Sequence, residues 1–347
     1  MNSSPTGNVP PRPGVFVAMQ HLFRSLVLTV LAASAAGQEA FTRVVPPDSK
    51  LVVWLDVEGL SGLVGRDLLR GTLFSGKSDW LQRLREEWRF DPIADIEAVA
   101  LFGLEDQIST LALLTNERID GVLERLAKQG ALETVESAGV ELSHVHAGKL
   151  ATALGIDEPE ATSSDAEAYL HRRRVEGRAG REGRRLLLGE HAAAVRDAAK
   201  SLDANERAGR RDPALRPGCM LFVAMPGPFR EIAGDDPRGK IASKTKTISG
   251  QLSEQDGEVH LTMRLETDEA KDARQLAAVV NGVKALATLL APEADDVPEE
   301  LLEALQSAQA RAEGKAVTFD VSVPSSLIKD AVRARDGKAK DDKDKKR

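Results

Sequence analysis

The chain has 347 residues, of which 42% are hydrophobic and 29% are charged, and it carries a formal net charge of -7. This length allows two domains or one large domain with a sizeable core. The acidic balance excludes a global positive field that would concentrate nucleic acid, so we expect no nucleic-acid partner. Cys219 is the only cysteine, which excludes an internal disulfide and every multi-cysteine metal site. Its apolar neighbours predict a buried, unreactive thiol.

The N-terminal segment has the anatomy of a secretory signal peptide. His21 and Arg24 precede an uncharged apolar run of eleven residues, LVLTVLAASAA, which contains the small-residue cleavage pattern Ala33-Ser34-Ala35. This run is too short to cross a bilayer as a helix, which needs about 20 residues. A core helix is the alternative interpretation of the same residues.

From this pattern we predict that residues 1–37 are an N-terminal extension and a signal peptide that is cleaved near residues 35–37. The start codon is left open between Met1 and Met19. The mature chain would then be exported to the periplasm or outside the cell, with no transmembrane helix. Its partner would be a protein or a component of the cell envelope.

Residues 38–155 are predicted to form a first α+β unit. Apolar runs indicate buried strands, and apolar residues at helical spacing indicate helices. The predicted strands are 51–57, 96–103, 108–115 and a segment from Gly139, and the predicted helices are 58–70, 79–89 and a segment that carries Ile119, Val122 and Leu126. The resulting order is strand, helix, hairpin, helix, strand.

The same order recurs within residues 185–332. The predicted elements are a strand at 219–225, a hairpin of 245–254 with 258–266, a long helix after Thr267 or Asp268, a second helix near Asp296 and a strand at 317–323. The two arms of the hairpin are joined through Asp256-Gly257, a dipeptide that favours a type I′ turn.

These elements predict an α+β fold of two similar units, each an antiparallel sheet in the order β-α-β-β-α-β with helices on one face. A strand and a helix that begin at Arg184 would bridge the two units. Residues 156–184 mix acids, glycine and arginine with few apolar residues, so we predict a flexible charged loop. Residues 333–347 are a mixed-charge run and are predicted to be a disordered tail.

The stretch GTLFSGKS, from Gly71 to Ser78, fits the phosphate-binding P-loop pattern G-x-x-x-x-G-K-[ST]. A nucleotide-binding protein that uses these residues is therefore one hypothesis. A working P-loop directly follows a buried strand, whereas LVGRDLLR before Gly71 is typical of a helix. The segment that would resemble a Mg²⁺-binding strand, LVVWLD, comes before the loop instead of after it. The context therefore disfavours nucleotide binding.

His144 and His146 are separated by one residue in a predicted strand, so they share a face, as two imidazole ligands of a metal would. Val140 and Leu142 lie on the same face, which places the two histidines where the hydrophobic core meets the rim of the sheet. The sequence identifies no third ligand. A metal-dependent hydrolase built around His144 and His146 is the second alternative hypothesis.

The arginine-rich stretch from His171 to Arg185 forms a local basic patch that could contact a polyanion. No aromatic residue interleaves to stack on bases, and the composition favours a solvated loop. The chain has no G-x-S-x-G nucleophile motif and no H-E-x-x-H zinc motif. We therefore assign no catalytic, cofactor-binding or metal-binding residues from the sequence, and no cofactor.

The order of these features resembles that of a loosely defined group of exported bacterial proteins of unknown function. The resemblance rests on the signal segment, on the P-x-D-x-x-hydrophobic start of the first strand, from Pro46 to Leu51, and on the repeated strand-hairpin-helix halves. It spans most of residues 40–330 and implies the fold and export, without any catalytic residue. The function that we predict is an exported, non-enzymatic binding or envelope-associated module.

Overall fold

The computed structural model describes residues 37–66, 69, 78–104, 108–154, 167–177, 180–208, 215–216, 218–227, 244–290, 303–304 and 308–330. Several predictions concern residues outside these ranges. They are the signal peptide, residues 71–77 of the glycine-rich stretch, the helix near Asp296 and the tail at 333–347.

The described helices, numbered in chain order, are α1 Gly37–Val44, α2 Val57–Val64, α3 Ser78–Glu86, α4 Pro92–Asp95, α5 Ile119–Lys128, α6 Ala147–Leu154, α7 Ala192–Ala208 and α8 Ala270–Leu290. The described strands are β1 Leu51–Asp56, β2 Ile96–Gly103, β3 Thr110–Asn116, β4 Leu132–Ser137, β5 Val140–His146, β6 Glu167–Glu176, β7 Glu182–Gly189, β8 Cys219–Pro226, β9 Thr245–Gln255, β10 Glu258–Thr267, β11 Gln309–Glu313 and β12 Ala316–Pro324. Within the described ranges, no helix has both the length and the apolar character needed to span a bilayer.

The twelve described strands form one sheet, in the order β11-β12-β10-β9-β8-β1-β2-β3-β7-β6-β5-β4. Neighbouring strands are antiparallel throughout, so the α+β class and the antiparallel sheet are confirmed. The two predicted units do not form separate sheets, because β1 pairs with β8, from Val52 opposite Ala224 to Leu55 opposite Leu221. The sheet is therefore continuous across both halves of the chain.

The prediction that helices cover only one face of the sheet is wrong for its first half. Neighbouring residues of β1 point to opposite faces, and both are buried, Trp54 in one core and Leu55 in another. The core around Trp54 includes residues of α1 and α7, and we call this side the α1/α7 face. The opposite side, the α2/α5 face, carries α2, α4 and α5. The central strands are nearly continuous apolar runs, which is the pattern of strands buried on both faces.

Aromatic contacts and a helical stripe seat α1 and α7 on their face of the sheet. Phe41 of α1 meets Trp54 and Phe222 edge to face, with ring centroids 5.6 Å and 5.5 Å apart. The buried residues of α7 recur at helical spacing, and they are Val195, Ala198, Ala199 and Leu202. These contacts place α1 over β1 and its neighbours β2 and β8, and α7 over β3 and the strands from β7 to β4.

The two predicted hairpins are confirmed, as β2 with β3 and as β9 with β10. In the second hairpin both turn residues have positive φ, 54° at Asp256 and 82° at Gly257. A type I′ turn requires this conformation at both central positions, and it matches the twist of the two strands. The dipeptide therefore fixes the register of this hairpin.

The prediction of a flexible loop over residues 156–184 is wrong for the part that the structure describes. Residues 167–176 form β6 and residues 182–184 begin β7. The charged side chains of β6 have partners on two helices. Arg172 Nη1 lies 3.2 Å from Asp120 Oδ1 of α5, and Arg173 forms an ion pair with Asp203 of α7. Composition misses this strand because its partners are distant in the sequence.

The strand predicted to bridge two units, β7, pairs instead with β3 and β6, inside the first half of the sheet. Its Arg185 is fully buried. Arg185 Nη2 donates to Asp203 Oδ1 at 2.6 Å, and Nη1 donates to the carbonyl oxygen of Arg43 at 3.2 Å.

His171 of β6 lies beside the Arg185–Asp203 pair. Burial, and then the charges of Arg185 and Arg173, lower the pKa of His171 from 6.5 to about 4.

We expect acid to destabilise the fold partly through His171. The unfolded chain takes up this proton near pH 6.5, whereas the folded protein, whose His171 pKa is lowered, takes it up only near pH 4. As the pH falls, the unfolded state therefore gains the proton first, and the free energy of unfolding should decrease between pH 6.5 and about 4. Above pH 6.5 His171 should have no effect on the pH dependence.

Urea unfolding across this pH range measures the effect. His171→Gln, which cannot be protonated, should show a smaller loss of stability than the wild type. His191→Gln is the control, because His191 is exposed, and it should lose as much stability as the wild type. Equal losses in the wild type and in His171→Gln would contradict the role assigned to His171.

Candidate metal centre

The two histidines singled out in the sequence lie on β5, next to the sheet edge formed by β4. His144 and His146 share the α1/α7 face, because Leu142 of the same strand belongs to that core. Their rings are in contact, with centroids 4.5 Å apart and planes inclined by 65°. The strand thus presents two imidazoles side by side at the rim of the core.

The neighbouring strands place a carboxylate beside each histidine. Glu133 of β4 lies opposite His144 in the register, and Glu167 of β6 lies opposite His146. The carboxylates contact the histidines diagonally. Glu133 Oε2 is 3.7 Å from His146 Nε2, and Glu167 Oε1 is 3.6 Å from His144 Nε2. One ligand atom from each of Glu133, His144 and His146 lies within 4.8 Å of the other two.

Burial decreases outwards from His144. Its side chain is 15% exposed and that of His146 is 31% exposed, whereas Glu133 and Glu167 are 70% and 63% exposed. The ring of Tyr169 stacks on His144 at 5.3 Å, which restricts the orientation of the imidazole. Nε2 of His144 is buried and has no hydrogen-bond partner among the described residues. A buried polar atom without a partner costs about 1–3 kcal/mol, so this nitrogen is suited to bind an added ligand.

This set of donors suits a divalent transition metal. Imidazole nitrogens and carboxylate oxygens are common ligands of Zn²⁺, whereas Ca²⁺ and Mg²⁺ prefer oxygen ligands alone. With bonds of about 2.0 Å, the ligand atoms of a tetrahedral zinc site lie roughly 3.3 Å apart. The three donors would therefore have to move closer together. Glu133, exposed on its edge strand, can do so by changing its rotamer.

Sequence reasoning found both histidines but not Glu133, because β4 was not predicted. This strand, LETVES, is an edge strand whose exposed residues are Glu133, Thr134 and Glu136, and it has no apolar run. It is joined to β5 through Ala138 and Gly139, which have φ values of 47° and 78°. These are the signs of φ in a type I′ turn, formed here without the usual Asn-Gly or Asp-Gly. A two-residue turn at this point is the signal that would have placed Glu133 opposite His144.

The helix predicted over residues 58–70, before the P-loop match, is confirmed only in its first part, as α2, which ends at Val64 before Gly65 with its φ of 88°. Asp56, at the end of β1, caps α2 by accepting a hydrogen bond from the N–H of Gly59 at 2.8 Å. Further on, the N–H of Leu69 donates to the carbonyl of Gly65, as in a helical turn. A P-loop needs a strand in this position. Residues 71–77 lie outside the described residues, and α3 begins at Ser78.

The arginines of the basic patch at 171–185 that the structure describes are engaged in ion pairs within the fold. Arg184 Nε donates to Asp120 Oδ2 at 2.8 Å, and this hydrogen bond raises the pKa of Arg184. Arg172 shares the same carboxylate. Arg173 and Arg185 pair with Asp203, as described above. These contacts join β6 and β7 to α5 and α7, so these arginines stabilise the packing of the helices on the sheet.

Cys219 is fully buried at the start of β8, as predicted. Burial, and then the nearby charge of Asp56, raises the pKa of its thiol to about 12. Since the thiolate is the nucleophilic form, Cys219 offers no reactive group near neutral pH.

No protein-family model matches the chain, and the search of curated proteins found no match either. Solved structures of TP0453 are similar to it in part. Crystal form I has 7% sequence identity and a TM-score of 0.35, covering 85% of this chain and 96% of the other. Crystal form IV has 9% identity and a TM-score of 0.40, covering 83% and 96%. Similarities this weak carry no inference about ligand or activity.

We expect Cys219 to be unreactive in the folded protein at mildly alkaline pH, because its thiol is buried and its pKa is about 12. A chromogenic disulfide reagent should modify it only as fast as the protein unfolds, and at once in concentrated urea. Rapid modification of the native protein would contradict the burial of this side chain.

Proposed function

We propose that the chain is an exported, non-enzymatic binding module that holds a divalent transition metal where β4, β5 and β6 meet. The observation that carries the metal site is the grouping of ligand atoms from Glu133, His144 and His146 within 4.8 Å of one another. Zinc fits this mixture of imidazole and carboxylate donors. Glu167, 3.6 Å from His144 Nε2, offers a further oxygen.

The positions of the donors support this proposal. All of them lie on paired strands, which hold side chains more rigidly than loops do. Tyr169 restricts the ring of His144, and Nε2 of that ring is buried with no partner among the described residues. This nitrogen is therefore available to bind a metal ion.

The same contacts could instead be ion pairs between protonated histidines and glutamates. Pairs as exposed as these, at 3.6 Å and 3.7 Å, contribute only about 0–1 kcal/mol. The two imidazoles, whose centroids are 4.5 Å apart, can both bind one metal ion in their neutral form.

A metal-dependent hydrolase that uses His144 and His146 is the second candidate. One observation favours it, because a site with three protein ligands leaves a position open for water, as in catalytic zinc sites. Against it, Glu133 and Glu167 are 70% and 63% exposed, and hydrolytic sites usually exclude bulk water around the reacting groups. We therefore favour binding over catalysis.

We infer export from the signal-like segment that ends near residue 36. Outside the cytoplasm, the partners open to such a module are metal ions, other proteins and components of the cell envelope. Export would also separate the chain from the nucleotide pool, which weakens the P-loop hypothesis for residues 71–78 further.

We also infer that the two halves of the sheet repeat one arrangement. β1 and β8 are neighbours at the junction, and a hairpin follows each of them in the sheet, β2 with β3 on one side and β9 with β10 on the other. The chain then enters a helix, α5 or α8, and a later strand, β7 or β12, pairs with the second strand of the hairpin. In this comparison β4 and β5 are additions to the first half, and they carry most of the metal site.

We expect tag-free wild-type protein, first treated with a chelator, to bind a single Zn²⁺ per chain. His144→Gln removes a ligand and should weaken zinc binding by at least about tenfold. Calorimetric titration measures the affinity, and elemental analysis after dialysis measures the stoichiometry. Zinc at a hundredfold excess over its Kd should also stabilise the wild type by about 2.7 kcal/mol, seen as a higher Tm.

His260→Gln is the matched control. Like His144, His260 lies on a strand with a glutamate near its Nε2, at 3.9 Å from Glu258. It belongs to no group of metal ligands in the described part of the chain, so its replacement should not change zinc affinity. No zinc binding by the wild type, or equal effects of the two variants, would refute the metal site. Zinc-dependent ester hydrolysis that disappears in His144→Gln would establish the hydrolase instead.

Export predicts a shortened chain in the periplasm or the medium of a bacterium that expresses the complete sequence. Cell fractionation followed by N-terminal sequencing should find a new N-terminus near residues 35–37. An uncleaved chain that remains in the cytoplasm would overturn the export part of the proposal and leave the metal site untouched.

A further inference from the structure

A second candidate site lies on the α2/α5 face, where the end of α3 meets the start of α5. An open pocket of about 670 Å³ is lined there by Arg85, Arg89, Arg118 and Arg125, together with Trp88, Gly121 and one carboxylate, that of Asp91. Pockets that hold small ligands have volumes of about 300–1,000 Å³. Four guanidinium groups thus surround a space of suitable size, although the chain as a whole has a net charge of -7.

The carboxylates nearest to these arginines already accept hydrogen bonds from neighbouring backbone and side-chain groups. One oxygen of Asp91 caps α4 by accepting a backbone N–H at 3.1 Å. Asp95, 2% exposed, accepts hydrogen bonds from the N–H of Asp91 and from the amide of Asn116, each at 2.7 Å. Arg85 comes within 3.7 Å of Asp91, and Arg118 within 3.3 Å of Asp95. Each guanidinium has five N–H donors, so these contacts use a minority of them.

Arg89 has no ion pair or hydrogen bond among the described residues, and its backbone is strained. Its φ is 54°, in the left-handed region that a residue with a Cβ atom disfavours. The N–H of Phe90 donates to the carbonyl of Leu84 at 2.9 Å and closes the turn around Arg89. Glycine or asparagine is usual in such a turn, so an arginine with no partner there points to a role for its side chain.

Two further side chains of the pocket, Arg125 and Trp88, are held in place by contacts with the fold. Arg125 Nη1 donates to the carbonyl oxygen of Glu87 at 2.5 Å, which holds this guanidinium across the end of α3. Trp88 is 8% exposed and packs in the core between α3 and α5. The pocket therefore combines a buried apolar wall with exposed cationic groups at its rim.

We propose that this pocket binds a small phosphate-bearing anion, contacted by the guanidiniums of Arg85, Arg89, Arg118 and Arg125. The planar guanidinium donates two parallel hydrogen bonds to phosphate oxygens, and a volume of about 670 Å³ accommodates more than one phosphate group. A soluble phosphate ester and the headgroup of a phospholipid share this chemistry. The pocket lies on the face opposite the metal centre and uses none of its residues.

Arg89→Gly tests the proposal without harming the fold. Glycine adopts positive φ readily, so the variant should be at least as stable as the wild type. Inorganic pyrophosphate, titrated by calorimetry at low salt into chelator-treated protein, should bind the variant at least about tenfold more weakly. Ala138→Gly is the matched control, since it relaxes a φ of 47° outside the pocket, and its pyrophosphate affinity should equal that of the wild type.

A second pair of variants separates the pocket from general surface charge. Arg85 and Arg264 both have side chains that are 52% exposed and a single carboxylate nearby, but only Arg85 lines the pocket. Arg85→Gln should weaken pyrophosphate binding, and Arg264→Gln should not. Equal weakening by both substitutions would overturn the proposal, as would unchanged binding to Arg89→Gly or no binding to the wild type.

Vesicle sedimentation identifies the source of the phosphate. Phosphatidylcholine vesicles with and without phosphatidic acid are mixed with the wild type and with Arg89→Gly. Sedimentation that requires both phosphatidic acid and Arg89 supports a lipid headgroup as the natural ligand. Pyrophosphate binding without sedimentation supports a soluble phosphate ester.

Discussion

The pairing of β1 with β8 is the interaction on which the rest of the structure depends. It joins strands from the two halves of the chain, from Val52 opposite Ala224 to Leu55 opposite Leu221, and each strand is also paired on its other side. Two sheets that would otherwise end in exposed edges become one, with β8 and β1 as its fifth and sixth strands. Successive residues of these central strands point to opposite faces, and both sets are largely apolar. Both faces must therefore be covered, and helices cover both.

In this arrangement both candidate sites lie at the margins of the hydrophobic cores. On the α1/α7 face, Leu142 is fully buried, whereas His144 and His146 on the same strand are partly exposed. On the α2/α5 face, Trp88 belongs to the core, and the four arginines of the pocket lie next to it at the surface. The polar groups at the centre serve the fold instead. Asp56 caps α2, and the Arg185–Asp203 pair ties β7 to α7.

The elements that could be predicted from the sequence carry a local signal. Apolar runs indicated β1, β2 and β3, helical spacing indicated α5 and α8, and Asp256-Gly257 indicated the turn between β9 and β10. The missed strands β4, β6 and β11 contain many charged residues and lie at or near the edges of the sheet. Arg172 and Arg173 of β6 find their carboxylates on α5 and α7, and no local pattern shows those contacts. The third metal donor was missed for the same reason, since Glu133 belongs to β4.

By itself, the sequence determined the α+β class, the antiparallel hairpins, the unreactive setting of Cys219 and the strand face shared by His144 and His146. Each of these follows from spacing and hydrophobicity within one short segment. Only the tertiary structure decided that both halves share one sheet, that helices cover both of its faces, and that Glu133 lies beside the two histidines. It alone also brought Arg85 and Arg89 of one segment to Arg118 and Arg125 of another. These features depend on contacts between residues far apart in the sequence, and such contacts form only when the whole chain packs.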